Sequence, residues 1–197
     1  MFRLVLGLVV GFGCPVGLLV AYSVGWLVAI TMRMLGIFLA LAMTFMAVTE
    51  VAALGTSTMN LIIALTISMV PPFVRIVRSA VLQVKGSDYI EAAVAYGSKD
   101  LRIILSHVLP NAIGPIIVQA TLNLASVLLS VAALGFIGLG VHSPQPEWGT
   151  MLAESKAQMR YHPWQVIIPG AAIAITVLAS NLIGDGLRDA LDPKLKN

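Results

Sequence analysis

The sequence predicts an all-α fold, a polytopic membrane bundle of about five transmembrane helices that carries a helix–turn–helix on its cytoplasmic face. Three observations lead there. Of 197 residues, 58% are hydrophobic and only 11% are charged, against about 25% charged in an average soluble domain. The apolar residues gather into five long runs, with one strongly polar stretch between the third and the fourth. When those runs are alternated across a bilayer, the basic residues crowd to one side. A water-soluble domain needs more polar cover than this, and a disordered chain or a disulfide-stapled secreted one is excluded by the same composition. Cys14 is the lone cysteine, so no disulfide framework or thiolate metal site is available. The excess of 12 Lys and Arg over 9 Asp and Glu forms no patch of the size that nucleic acid requires.

Each run follows from the length needed to cross, about 20 residues for a hydrocarbon core of about 30 Å. The first covers residues 4–21. Arg3 before it imitates a secretory signal, but the run is too long and no small-x-small site closes it, so it reads as a retained helix. Gly7-x-x-x-Gly11 and Gly13-x-x-x-Gly17 offer faces for close helix approach. Pro15 suggests a kink, and Cys14 reads as a small packing residue. The second run is 27–48, with Arg33 near one end; the third is 60–74, the fourth 112–136 and the fifth 164–183. An outer loop, 137–163, and a cytoplasmic tail, 184–197, complete the chain as a single domain. With 75–110 in the cytoplasm, that side holds Arg33, Arg75, Arg78, Lys85, Lys99, Arg102, Arg188, Lys194 and Lys196, while the outer side holds Arg3, Lys156 and Arg160. This asymmetry puts the C-terminus inside and, with five spans, the N-terminus outside.

The polar stretch carries the most information. Asp88 followed by Glu91 reads as a capping box opening a helix over 89–96. Gly97 stands where a chain leaves such a helix in the left-handed conformation. Ser98 suits the cap of a second run, Asp100 its positive end, and Leu101, Ile104, Leu105 and Val108 its apolar face, with Pro110 ending or kinking it. Ala92 and Ala93 leave the first helix thin. Such an element serves equally as a knob for a partner's groove or as a plain interfacial helix.

Rival classes lack their chemistry. No span carries two ionisable groups at helical spacing, which intramembrane catalysis or a proton-relaying carrier requires. His142, Glu147, Glu154 and His162 share the outer loop without tight metal-ligand spacing. No G-x-x-x-x-G-K-[ST] loop occurs, so ATP is not bound in that manner here.

Glu91-Ala92-Ala93, then Gly97, then Leu109-Pro110 resembles the EAA loop of ABC-importer permeases, E-A-A-x3-G-x9-I-x-L-P, with His107 in place of the Ile. Four further blocks resemble the dipeptide/oligopeptide/nickel branch, and the second of its two permease subunits. They are Pro71-x-x-x-Arg75-x-x-Arg78, Phe136-x-Gly138-Leu139-Gly140, Pro144-x-Pro146-x-Trp148-Gly149-x-Met151-Leu152 and Asn181-Leu182-x-Gly184-Asp185-Gly186-Leu187-Arg188-Asp189-x-Leu191-Asp192-Pro193. The resemblance implies an inner-membrane, multi-pass subunit for peptide import, with nickel or another small solute as the alternative cargo. It implies a second permease chain, two cytoplasmic ATP-binding subunits and a periplasmic or lipid-anchored binding protein as partners. No cofactor sits in this chain, ATP belonging to the partners. By position, Glu91, Ala92, Ala93, Gly97, Leu109 and Pro110 are the residues that couple to the ATPases, although Glu91 also suits a purely capping role.

Departures from the family are specific. Relatives show one more helix at the N-terminus. They tend to carry M-R-x-x-D-x-x-L-A-x-P in the next, where this chain keeps Met32, Arg33, Leu39 and Ala40 but has Gly36 and Ala42. Val131 stands where an acid is usual, and Glu50 is an added charge. A shortened, inactive copy or a misplaced start codon is therefore the competing expectation, which the DNA upstream of Met1 distinguishes.

Overall fold

The computed structural model describes residues 2–23, 26–40, 48–49, 52–53, 55, 57–141 and 144–191. Glu50, Ala42 and His142 lie outside them. Helix α1 is Phe2–Tyr22, α2 Trp26–Ala40, α3 Thr58–Lys85, α4 Asp88–Ala95 and α5 Asp100–Ile103. A π-helical turn, Ile104–Val108, joins α5 to α6, Leu109–Phe136; α7 is Trp148–Ser155, followed by a 3-10 turn Lys156–Gln158, and α8 is Trp164–Leu191. No strand occurs among the described residues.

Among the described residues, four helical stretches are long and apolar enough to cross a membrane: Arg3–Tyr22, Thr58–Lys85, Asp100–Phe136 and Trp164–Leu191. The expected second span is represented by α2, 15 residues, or about 22 Å of helix; residues 41–47 lie outside the described ones. Two expected C-terminal boundaries move. The third run does not stop at 74 but continues through Pro71, Pro72, Arg75 and Arg78 to Lys85, and the fifth continues through Gly184 and Gly186 to Leu191. Charge-free counting misses both ends because a helix that leaves the bilayer keeps its backbone bonds in the polar layer.

Helix directions follow from which residues meet. A Cβ on Gly17 would fall 2.6 Å from Val77 Cγ1, and Gly13 faces Phe73 in the same way. The Lys85 ammonium lies 4.6 Å from the centre of the Tyr22 ring. Positions along α1 and α3 therefore advance together, and the two helices are parallel. Helix α2 packs against both α3 and α1. Helix α6 runs opposite to α3, since Leu128, Val131 and Ala132 border one cavity with Leu4, Thr58 and Ile62. Helix α8 opposes α6, with Leu191 beside Gly114 and Leu122 against Gly184.

One end of the bundle thus gathers Tyr22, Lys85, residues 86–108 and Leu191, and is called here the elbow end. The other, the loop end, gathers Leu4, Thr58 and residues 137–141 and 144–163. The core between them is built from Val5 and Val9 of α1, Leu61, Leu65, Phe73, Val77 and Val81 of α3, Val108 of the π-helical turn, and Ala112, Val127 and Leu134 of α6. In a lipid solvent such packing, rather than escape from water, is what holds helices together. That explains Gly13 and Gly17, which bring α1 onto α3. Gly7 and Gly11, expected to do the same, face open space. Cys14 is half-buried against the core.

Candidate functional site

The elbow hangs between α3 and α6 and is anchored by very little. On α4 only Ile90 is buried, at 3% exposure, and Ala93 packs half-buried against the core. Glu91 and Ala92 are exposed, as are Tyr89, Val94 and Tyr96, the last at 91%. The helix ends in a Schellman motif: Ser98 N–H donates to Ala93 O at 3.1 Å, and Gly97 N–H to Val94 O at 2.9 Å. Gly97 has φ +74°, a conformation that any side chain would strain. The expected stop is therefore present in full.

The start differs from expectation. Ser87, not Asp88, occupies the N-cap, and its hydroxyl donates back to Val84 O instead of accepting from the helix. Asp88 and Glu91 lie inside the first turn, where their charges suit the positive end of the helix dipole. No capping box forms, and the Glu91 side chain is left facing outward. Lys99 rather than Ser98 is the N-cap of α5.

The second apolar face also differs. Ile103 and Val108 are buried at 2% and 0%, while Leu101 and Leu105 are 68% and 56% exposed. The buried pair is five residues apart because Ile104–Val108 is a π turn, whose i→i+5 bonds widen the helix by one residue. That turn sits just before Pro110, which lacks an N–H for an ordinary helical bond. Pro110 consequently does not end the run. The helix passes unbroken from Asp100 to Phe136, with half-buried Leu109 and exposed Pro110 in the first turn of α6. Of the six matched residues, Glu91, Ala92, Ala93 and Gly97 share the elbow's first helix and its stop, whereas Leu109 and Pro110 belong to the root of α6.

The loop end contains a residue that sequence reading left without a role. Helix α6 closes in a second Schellman motif, with Gly138 at φ +83° and Leu139 N–H donating to Leu134 O at 2.9 Å, and the chain then folds back on itself. Glu147 points into this fold: a Cβ on Gly135 or Gly140 would fall 2.6 or 2.7 Å from its Oε2. Burial pushes its carboxyl above the ordinary carboxylate range; the N–H groups of Val141 and Gly149 pull the other way by less. Neither oxygen reaches full hydrogen-bonding geometry with a partner among the described residues. Val131 is buried beside the same cavity of about 570 Å³. Thr58 Oγ1 donates to Gln145 Oε1 at 3.1 Å and ties α3 to the loop. Among the described residues no three potential metal ligands come together. The signal available in the sequence was the run of glycines around one acid, which marks close backbone approach.

Known proteins supply the context. The chain is 47% identical over 186 residues to the dipeptide transport system permease protein DppC of Alkalihalophilus pseudofirmus, covering 94% of this chain and 61% of that protein. It is 48% identical over 185 residues to the di/tripeptide transport system permease protein DppC of Pseudomonas aeruginosa, with coverages of 94% and 61%. It is 40% identical over 196 residues to the glutathione transport system permease protein GsiD of Pectobacterium atrosepticum, with coverages of 100% and 64%. The chain therefore spans less than two thirds of the length of these curated relatives. Its fold is that of a chain in an inward-facing crystal form of the MetNI methionine ABC transporter, with a TM-score of 0.79 at 21% identity, covering 98% of this chain and 91% of that one. Residues 13–197 match the binding-protein-dependent transport system inner membrane component, and the chain belongs to that family.

Proposed function

We propose that this chain is a permease subunit of an ATP-driven importer of short peptides, and that the elbow is where its ATPases act. The observation that carries this reading is the elbow itself. It is a stiff, two-turn helix with a glycine-closed end, held to the bundle by Ile90 and presenting Tyr89, Glu91, Ala92, Val94 and Tyr96 outward. Force transmission needs such an element, and burial for its own sake does not. The absence of a capping contact from Glu91 favours a partner-facing role over a capping one. Peptide cargo is supported by relatives whose names specify dipeptides, di/tripeptides and glutathione.

In this reading the elbow end is cytoplasmic, so the C-terminal end of α8, which lies at that end, is cytoplasmic too. Two ATP-binding subunits dock below, a second permease subunit completes the pore, and a binding protein delivers solute to the loop end. The chain itself is not an enzyme and binds no nucleotide. The test is uptake by vesicles holding the assembled importer, with radiolabelled dipeptide offered alongside nickel. Peptide uptake that depends on ATP and on an intact elbow supports the proposal. Nickel uptake without peptide uptake replaces the cargo, and labelling of residues 86–108 from the periplasmic side overturns the orientation.

A further inference from the structure

The elbow is covalently joined to α3 and α6 only, yet α1 is packed along α3 for most of its length. Because α1 and α3 are parallel, their C-termini, both negative dipole ends, converge at the same place. Helix α1 brings no basic residue to its last turn, and α3 brings one, Lys85. That ammonium lies 4.6 Å above the ring of Tyr22, the last residue of α1, so a single cation serves two helix ends and one aromatic face. The Tyr22 hydroxyl is buried without a partner among the described residues, so the ring is held by its face and not by its oxygen. Lys85 is followed directly by Gly86, where α3 ends and the elbow begins.

We infer that Tyr22 and Lys85 form a clasp that makes α1 part of the lever, so that elbow motion is delivered to α1 and α3 as one body. The inference rests on the coupling function proposed above. Tyr22 and Lys85 are positioning residues that touch neither cargo nor nucleotide. Chemistry sets the substitution pattern: Phe keeps the aromatic face, Arg keeps a cation, and Leu or Gln keeps neither.

The test measures peptide uptake and ATP hydrolysis together in vesicles containing the importer complex. Tyr22→Leu and Lys85→Gln are each expected to lower uptake per ATP by about fivefold or more, the scale of a modest coupling energy. Tyr22→Phe and Lys85→Arg are expected to keep the wild-type ratio, and the Leu/Gln double variant to be no worse than either single one. A loss of complex without a change in ratio, or Phe as damaging as Leu, overturns the clasp. Glu91→Ala, measured in parallel, separates the two proposals. If it uncouples while the clasp variants do not, only the clasp fails; if it too leaves the ratio unchanged, the coupling site fails. A variant that does not assemble is replaced by cysteines at 22 and 85 in a Cys14→Ser background, joined by a short bifunctional thiol reagent. Transport that survives the cross-link supports ends that move together, and transport that stops overturns it.

Discussion

Two glutamates at opposite ends of the bundle show how differently those ends are made. Glu147, at the loop end, is enclosed by Gly135, Gly140 and the backbone around Gly149, and its oxygens are shut away from solvent. Glu91, at the elbow end, stands in solvent on a helix with a single buried residue. The loop end spends its glycines on removing space, so that α6, the turn after it and α7 form one closed unit. The elbow end spends its one decisive glycine, Gly97, on stopping a helix and leaving it exposed. A region packed in the first way resists motion. One built in the second way is available to be gripped and moved.

The comparison can be broken by substitutions at either end. The largest effect is expected from Gly97→Pro, because proline fixes φ near −65°, against +74° here, and removes the N–H that bonds Val94 O. Membrane insertion should be normal, judged by fractionation, and peptide uptake by the assembled importer should fall to background. At the loop end, Gly149→Val drives a side chain into the Ala132 carbonyl, an overpacking that costs about 1–3 kcal/mol. Thermal denaturation of the purified chain in detergent should show a lower midpoint.

Glu91→Ala should do the reverse, leaving that midpoint unchanged while uptake falls by about tenfold, the scale of one interface contact of about 1.4 kcal/mol. An unaltered uptake rate would sink the assignment of the elbow as the docking element. The smallest effect concerns pH. Because the folded carboxyl of Glu147 is raised, the folded state binds its proton more tightly than the unfolded chain does. The stability this gives is complete below the unfolded carboxyl range and is lost as pH rises through the raised value. Glu147→Gln should flatten that part of the midpoint-against-pH curve, and a curve of unchanged slope would show that another group is responsible.

Much of the elbow was legible because its signals are local. Gly97 announces a left-handed stop whatever surrounds it, whereas the same motif at Gly138 came to light only in the structure. The N-cap was misread by one residue because Asp88 and Ser87 both suit it, and the choice depends on where the Ser87 hydroxyl turns. The apolar face of the second arm was misread for a different reason. A stripe through Leu101, Ile104, Leu105 and Val108 assumes 3.6 residues per turn, and the π turn before Pro110 breaks that period, so Val108 faces inward as expected but is joined by Ile103 and not by Leu101 or Leu105. Glu147 was passed over because its burial is made by glycines that precede it by up to twelve positions and by a fold-back no pattern encodes.

What the sequence determined by itself is whatever depends on composition or on a few consecutive residues. Those are the membrane class, the helical runs, the glycine stop at Gly97 and the family motifs. Only the tertiary structure decided that α1 and α3 run parallel, that Gly13 and Gly17 pack while Gly7 and Gly11 do not, and that Lys85 lies over Tyr22. The physical reason is that lipid accepts any apolar helix face equally well. Hydrophobicity therefore says that a helix crosses, while the shapes of facing side chains, brought together from distant parts of the chain, say which neighbour it meets.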